Sequence, residues 1–151
     1  MSLPSFLAHA VKLEYEAEKI YRETAELITR MDPSHAGEFF KEMAGYAKQH
    51  LDSIMHRAGI TEISELPQFG YVWGTDPVPE SIAPPPAADS GIDLDDAMAL
   101  ALDAERRAAA FYAEVAATSL DPIVKVLANT FAAEEREHVL ALERFMGAKP
   151  Y

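Results

Sequence analysis

The stretch Ala132-Ala133-Glu134-Glu135-Arg136-Glu137-His138 lies inside a long helical pattern and contains the pair Glu135-x-x-His138. Residues three apart share a face on a helix. That face also carries Ala128, Phe131, Ala132, Val139 and Leu142. An acid and an imidazole therefore stand on a stripe otherwise composed as core. Carboxylates are almost never fully buried without a partner. A metal ion is a natural partner for a Glu and a His together, provided that other helices supply further ligands.

Working outward, four helical segments emerge. Over residues 5–30, Phe6, Leu7, Ala10, Leu13, Ala17, Ile20, Tyr21, Ala25 and Ile28 recur at helical spacing. Asp32-Pro33 reads as a stop and a new start, since Asp caps well and Pro suits the first helical position. The second helix is expected over 33–58, closed by Gly59. Asp93 caps a third over 94–118, with Asp95 and Asp96 in its first turn, where the helix dipole favours acids. Asp121-Pro122 opens a fourth over 122–146, ended by Gly147. Between the second and third helices, residues 60–92 hold six of the ten prolines, which prevents regular helix there. Phe69, Tyr71 and Trp73 suggest that the first half of this linker packs on something.

The second half repeats the first. Glu14, Ala17, Tyr21, Glu23 and Ala25 match Glu105, Ala108, Tyr112, Glu114 and Ala116 at an offset of 91 residues, and Ala44, His50 and Gly59 match Ala132, His138 and Gly147 at an offset of 88. The chain is thus two copies of one helical hairpin. A long crossover between the second and third helices is the ferritin-like arrangement. The expectation is an all-α, ferritin-like four-helix bundle, made of two duplicated hairpins joined by a long crossover linker, with residues 1–151 as a single domain. The same linker would let the second hairpin pair with another chain, so a homodimer, swapped or not, is expected.

Composition excludes several classes. With no cysteine, the sequence has no thiolate zinc site, iron–sulfur cluster or thiol nucleophile. Its 25 acids against 13 bases give a formal charge of -12, which repels nucleic-acid phosphates and anionic lipid and favours cations. No apolar run is long enough for a transmembrane helix. Met1-Ser2-Leu3-Pro4 lacks the features of a signal peptide, so the expected location is cytoplasmic.

Glu105 shares its stripe with Met98, Ala101, Leu102, Ala108, Ala109 and Tyr112; Glu14 shares one with Leu7, Ala10, Ala17 and Tyr21. His50 shares one with Met43, Tyr46, Ala47 and Ile54. The four helices together offer Glu14, His50, Glu105, Glu135 and His138 as metal ligands. This is close to the plan of di-iron carboxylate bundles, where two helices give one Glu each and two give Glu-x-x-His. Bridging carboxylates neutralise two adjacent cations, and imidazoles complete the ends. One acid is missing: the place equivalent to Glu135 in the second helix is Ala47. Glu18, four residues after Glu14, could reach in. Tyr21, Tyr112 and Tyr46 read as core aromatics whose hydroxyls could support a ligand. Glu134, Glu137, Arg136 and Arg144 read as a solvated face, and His9, His35 and His56 as surface residues.

The glutamate–alanine–tyrosine rows and the segment Phe131-Ala132-Ala133-Glu134-Glu135-Arg136-Glu137-His138 resemble the rubrerythrin-like branch of the ferritin-like superfamily, across all four helices but not the linker. The resemblance implies a di-iron centre and, in classical members, reduction of hydrogen peroxide. It implies Glu14, Glu105 and Glu135 as carboxylate ligands and His50 and His138 as imidazole ligands. Classical members carry a carboxylate where Ala47 stands and another where Ala108 stands. They also append a rubredoxin domain with four cysteines, and this chain has none.

The expected function is that of a non-haem di-iron oxidoreductase. It would reduce peroxide or dioxygen with electrons from a separate donor. Two irons per site are expected, one position weaker for want of an acid at Ala47; manganese or zinc can occupy the same ligands. The alternatives are an iron-binding or iron-oxidising protein without peroxide turnover, and a helical structural module whose metal site has decayed.

Overall fold

The computed structural model describes residues 1–31, 36–62, 72–73, 76–77 and 94–148. Four helices dominate: α1 (Leu3–Met31), α2 (Ala36–Ala58), α3 (Leu94–Thr118) and α4 (Pro122–Ala148). Two short strands, β1 (Val72–Trp73) and β2 (Asp76–Pro77), pair antiparallel between α2 and α3. Phe69 and Tyr71, the Asp32-Pro33 start and the Asp93 cap lie outside the described residues.

The helix ends follow from local chemistry. α1 begins two residues earlier than expected because Ser2 caps it. The Ser5 amide donates to Ser2 Oγ at 3.3 Å and the Phe6 amide to the Ser2 carbonyl at 2.9 Å. Pro4 then falls in the first turn, where its missing N–H costs nothing. α2 ends as expected at Gly59, whose φ of 69° is the left-handed conformation that glycine tolerates best. The amides of Gly59 and Ile60 turn back to the carbonyls of His56 and Met55 at 3.2 and 3.0 Å, the paired closure typical of such ends. Gly147 does not end α4. It lies inside the helix, which continues to Ala148, and its φ is not positive.

Asp121 caps α4 as expected, accepting from the Ile123 amide at 2.9 Å and the Val124 amide at 3.4 Å. Replacing Asp121 with Ala is expected to cost about 1 kcal/mol, which lowers the melting temperature by roughly 2–4 °C in a chain of this size. A thermal melt monitored by circular dichroism checks this.

Cross-helix contacts set the topology. Glu14 meets Tyr112 and Tyr21 meets Glu105, so α1 and α3 run antiparallel. His50 meets Glu134 and Phe39 stacks on Phe145 with ring centroids 4.1 Å apart, so α2 and α4 are also antiparallel. α1 and α2 form a close hairpin, and a Cβ on Gly37 would run into Thr29 Oγ1. With α1 antiparallel to both α2 and α3, the latter two are parallel. The C-terminal end of α2 and the N-terminal end of α3 therefore lie at opposite ends of the bundle, as the crossover reading requires.

Two apolar clusters fill the interior. One gathers Phe6, Val11, Leu51, Ile54, Phe111, Tyr112, Val124 and Phe131; the other gathers Tyr21, Phe40, Met43, Ala47, Met98, Leu102 and Leu142. Met43 and Met98 are core filler as expected, and Met55 is half-buried against the first cluster. Tyr112 in one cluster and Tyr21 in the other both turn their hydroxyls to buried carboxylates. A polar level thus lies between two dry layers.

Candidate metal centre

Glu14, Glu105 and Glu135 are only 2, 3 and 2 % exposed, which is unusual for carboxylates. Each stands on the apolar stripe identified from its spacing: Ala128, Phe131, Ala132 and Leu142 beside Glu135 are all buried, as are Met98, Ala101 and Leu102 beside Glu105. Among the described residues, two groups have ligand atoms within 4.8 Å of one another: Glu14, His50 and Glu135, and Glu105, Glu135 and His138. The five residues expected from the sequence therefore converge, and Glu135 belongs to both groups.

The imidazoles face the carboxylates through Nδ1. His50 Nδ1 lies 3.1 Å from Glu14 Oε1, and His138 Nδ1 lies 3.5 Å from Glu105 Oε2 and 3.4 Å from Glu135 Oε2. Tyr21 donates its hydroxyl to Glu105 Oε1, and Tyr112 donates to Glu14 Oε1 over a longer 3.4 Å. The two tyrosines are thus more than core aromatics. Each fixes the orientation of one carboxylate, the role that supporting hydrogen bonds play around metal sites. Tyr21→Phe removes a hydrogen bond to a charged, buried group, worth about 1.5–3 kcal/mol. Tyr112→Phe should cost less, because its bond is longer. Urea unfolding of the metal-free variants measures both.

The electrostatics are those of crowded charge. Burial pushes the Glu135 carboxyl well above its ordinary range, and the charges of Glu105 and Glu14 push the same way. For Glu105, burial is outweighed by hydrogen bonds from Glu135 and His138, so its pKa is lowered. Of this pair, Glu135 is the one that burial and its acidic neighbours make the tighter holder of a proton. Burial lowers the pKa of His50, but the nearby Glu134 and Glu14 carboxylates outweigh it and raise it to about 10. Burial likewise opposes, and Glu105 enforces, a raised pKa for His138. Burial first, then the carboxylate charges, raise both tyrosines well above 10.0, which keeps them protonated donors.

One further observation bears on whether a metal suits this set. Both ring nitrogens of His50 are buried without an aligned hydrogen bond, although carboxylate oxygens lie within ion-pair distance of each. Orphaned buried nitrogens are rare in native proteins. With its pKa raised to about 10, metal-free His50 is a cation held between two carboxylates, and a divalent ion bound at Nδ1 would take the place of its proton. Three buried carboxylates offset three of the four charges of a divalent pair, and with two imidazoles they supply the oxygen and nitrogen ligands that such cations take. Beside them, a cavity of about 20 Å³ is lined by Glu14, Glu105, Glu135, Tyr21, Ala104 and Ala108 among others. That is roughly room for one water-sized molecule.

Other expectations are corrected. Glu18 does not reach the cluster; it pairs along its own helix with Arg22 at 3.1 Å. Tyr46 is 54 % exposed, because it lies at the edge of the inward face of α2, and it lines an open pocket with Gln49, His50, Ser53, Glu134 and His138. His9 is buried, stacked on Phe111 at 6.0 Å with Nδ1 2.8 Å from the Ser5 carbonyl. His56 is exposed as expected, and His35 lies outside the described residues. The residue missed altogether is Glu134. Its Oε2 lies 2.7 Å from His50 Nε2, across the gap between α4 and α2. Its only sequence signal was its place one residue before Glu135, opposite a helix short of an acid.

A bundle with a long crossover and a core of carboxylates and imidazoles defines the ferritin-like carboxylate proteins. The rubrerythrin family model matches residues 5–146, and this chain belongs to that family. It is also similar to an uncharacterized conserved protein from Magnetospirillum magnetotacticum MS-1, known from a crystal structure. The identity is 34 % and the TM-score 0.77, covering 100 % of this chain and 97 % of that one. A search of curated proteins finds no match.

Proposed function

We propose that this chain is a non-haem di-iron protein that reduces peroxide or dioxygen with electrons from a separate donor. The observation that carries the reading is the sharing of Glu135 between the two ligand groups, one with Glu14 and His50, the other with Glu105 and His138. When bound, a ferrous pair would supply the two electrons that, with two protons, turn one hydrogen peroxide into two waters.

The chain's own residues do the remaining work. Glu14, Glu105 and Glu135 would hold the cations and offset most of their charge, Glu135 being common to both ligand groups. His50 and His138 would add imidazole ligands through Nδ1, the nitrogen that faces the carboxylates. Tyr21 and Tyr112 keep Glu105 and Glu14 oriented. The apolar clusters on either side exclude bulk water, while the pocket between α2 and α4 leaves both imidazoles within reach of a small oxidant. Iron suits this mixture of oxygen and nitrogen ligands, and manganese or zinc can occupy it too. None of the 151 residues is a cysteine, so this domain holds no rubredoxin-type iron of its own and the electrons would come from outside it. A single domain, a homodimer and a cytoplasmic location belong to the same reading, and sizing of the purified chain tests the dimer.

A second reading, iron binding or oxidation without peroxide turnover, is favoured by Ala47, which leaves the His50 position an acid short. Metal content separates these from a decayed structural module. Reconstituted protein should hold about two irons per chain, whereas less than about half an atom contradicts a coupled metal–protein site. Peroxide consumption with a chemical reductant then separates turnover from simple binding. Absence of turnover in the iron-loaded protein favours the second reading.

A further inference from the structure

Glu134 is half-exposed, with 44 % of its side chain open to solvent, yet one of its oxygens lies 2.7 Å from a buried imidazole nitrogen on another helix. An ordinary surface ion pair contributes at most about 1 kcal/mol. Its place beside the metal centre gives this one a different use.

We propose that Glu134 is the positioning residue for His50. It holds the imidazole from the solvent side by Nε2, so that Nδ1 faces the metal, at the position where Ala47 omits a carboxylate. This rests on the metal-centre reading above.

A carboxylate oxygen and a ring nitrogen at 2.7 Å repel unless a proton lies between them. In the metal-binding form, hydrogen on Nε2 makes that contact attractive, although the metal-free geometry does not align it as a hydrogen bond, and leaves the lone pair on Nδ1. Nδ1 is the nitrogen that faces Glu14 Oε1, at 3.1 Å. His138 also makes both of its carboxylate contacts through Nδ1, so the two rings present the same atom inward. Glu134 joins neither ligand group, which places it behind the imidazole and not among the ligands. A carboxylate behind a ligating His fixes its tautomer and raises its basicity, and removing such a partner typically weakens metal binding about 10–100-fold. The arrangement crosses from α4 to α2, so it compensates on one helix for what the other lacks.

The test is anaerobic titration of the full chain with Fe(II) against a competing chelator, resolving both affinities. It compares the wild type with Glu134→Ala, Glu134→Gln and Glu137→Ala. Glu134→Ala should weaken one of the two metals about 10–100-fold and leave the other within about twofold. Glu134→Gln should recover part of the loss, because its amide oxygen still accepts from Nε2–H. Glu137→Ala removes the same charge from an exposed site on the same helix and should change neither affinity. Unchanged affinities in Glu134→Ala overturn the proposal, and so does an equal loss in Glu137→Ala, which would be a general charge effect. Failure of the wild type to bind iron overturns the metal-centre reading and this inference with it. Wild-type binding with an indifferent Glu134→Ala overturns this inference alone.

Discussion

Glu135→Gln is expected to abolish tight metal binding while making the metal-free protein more stable. The two effects come from one cause. Glu135 is the only residue common to both ligand groups, so its loss removes a carboxylate from each metal position. Without metal, however, that carboxylate lies within 4.8 Å of ligand atoms from Glu14 and from Glu105. Two unit charges at that separation repel by roughly 3–4 kcal/mol at an effective dielectric of about 20. Wild-type protein relieves this by keeping a proton on Glu135, whose folded pKa is raised by burial and by its two acidic neighbours.

The sign of the pH dependence follows. A carboxyl with a raised folded pKa holds its proton more tightly in the native state. The stability this contributes is complete below the ordinary value of 4.5 and is lost as the pH rises toward the folded pKa. Gln has no such proton to lose. The metal-free variant and wild type should therefore match at about pH 4 and separate as the pH rises. At pH 7 the variant should be more stable by on the order of 1–4 kcal/mol, the gain seen when buried ionic groups are replaced by apolar ones. Melts of both proteins in chelator across that range give the answer. A variant that loses metal and also melts lower at pH 7 would show that Glu135 holds the fold together and contradict this account. Glu135→Ala should lose metal equally, but it leaves a cavity that confounds the stability comparison.

How much of this was legible without coordinates depends on the reach of each interaction. Helix limits are local: Asp121 and Gly59 act within three residues of themselves, and both were readable. Ser2 acts just as locally, but the apolar spacing that marked α1 begins only at Phe6. The convergence of Glu14 with Glu105 and of His50 with His138 was readable because the hairpin is duplicated, so one stripe could be checked against its twin; Glu135, whose twin is Ala47, was readable only from its spacing to His138. Glu134 could not be found this way. It sits one residue, about 100° of helix rotation, from Glu135, on what spacing alone makes a solvated face. Its contact exists only because α2 brings His50 alongside. His9 was misjudged for the same reason, since its partner Phe111 lies on α3. Glu18 had the right spacing, but Arg22 four residues on satisfies it more cheaply than a buried site would.

Ala47→Glu should have the opposite profile from Glu135→Gln: a weaker metal-free fold and a tighter second metal. Ala47 is 1 % exposed, packed in the cluster of Tyr21, Phe40, Met43, Met98 and Leu142, one turn before His50 on the same face. A glutamate there must displace packed neighbours and enter without solvent. Overpacking alone costs about 1–3 kcal/mol, and the carboxyl adds a desolvation penalty unless it finds a partner. With metal present the partner exists. The new side chain would stand toward His50 as Glu135 stands toward His138, completing Glu-x-x-His on both α2 and α4. Metal that binds only the folded state stabilises it by about 4 kcal/mol at a thousandfold excess over its dissociation constant, enough to offset the cost of insertion. The metal-free variant should therefore melt below wild type and the loaded variant at or above it, with the weaker iron affinity raised at least about tenfold. Unchanged stoichiometry and affinity would contradict the view that Ala47 marks a missing ligand. The same variant interrogates Glu134. If Glu134 compensates for the absent acid by holding His50, a carboxylate supplied at position 47 makes that support partly redundant. Glu134→Ala should then cost less in the Ala47→Glu background than in wild type, a coupling that a double-mutant cycle on the second metal affinity reads directly.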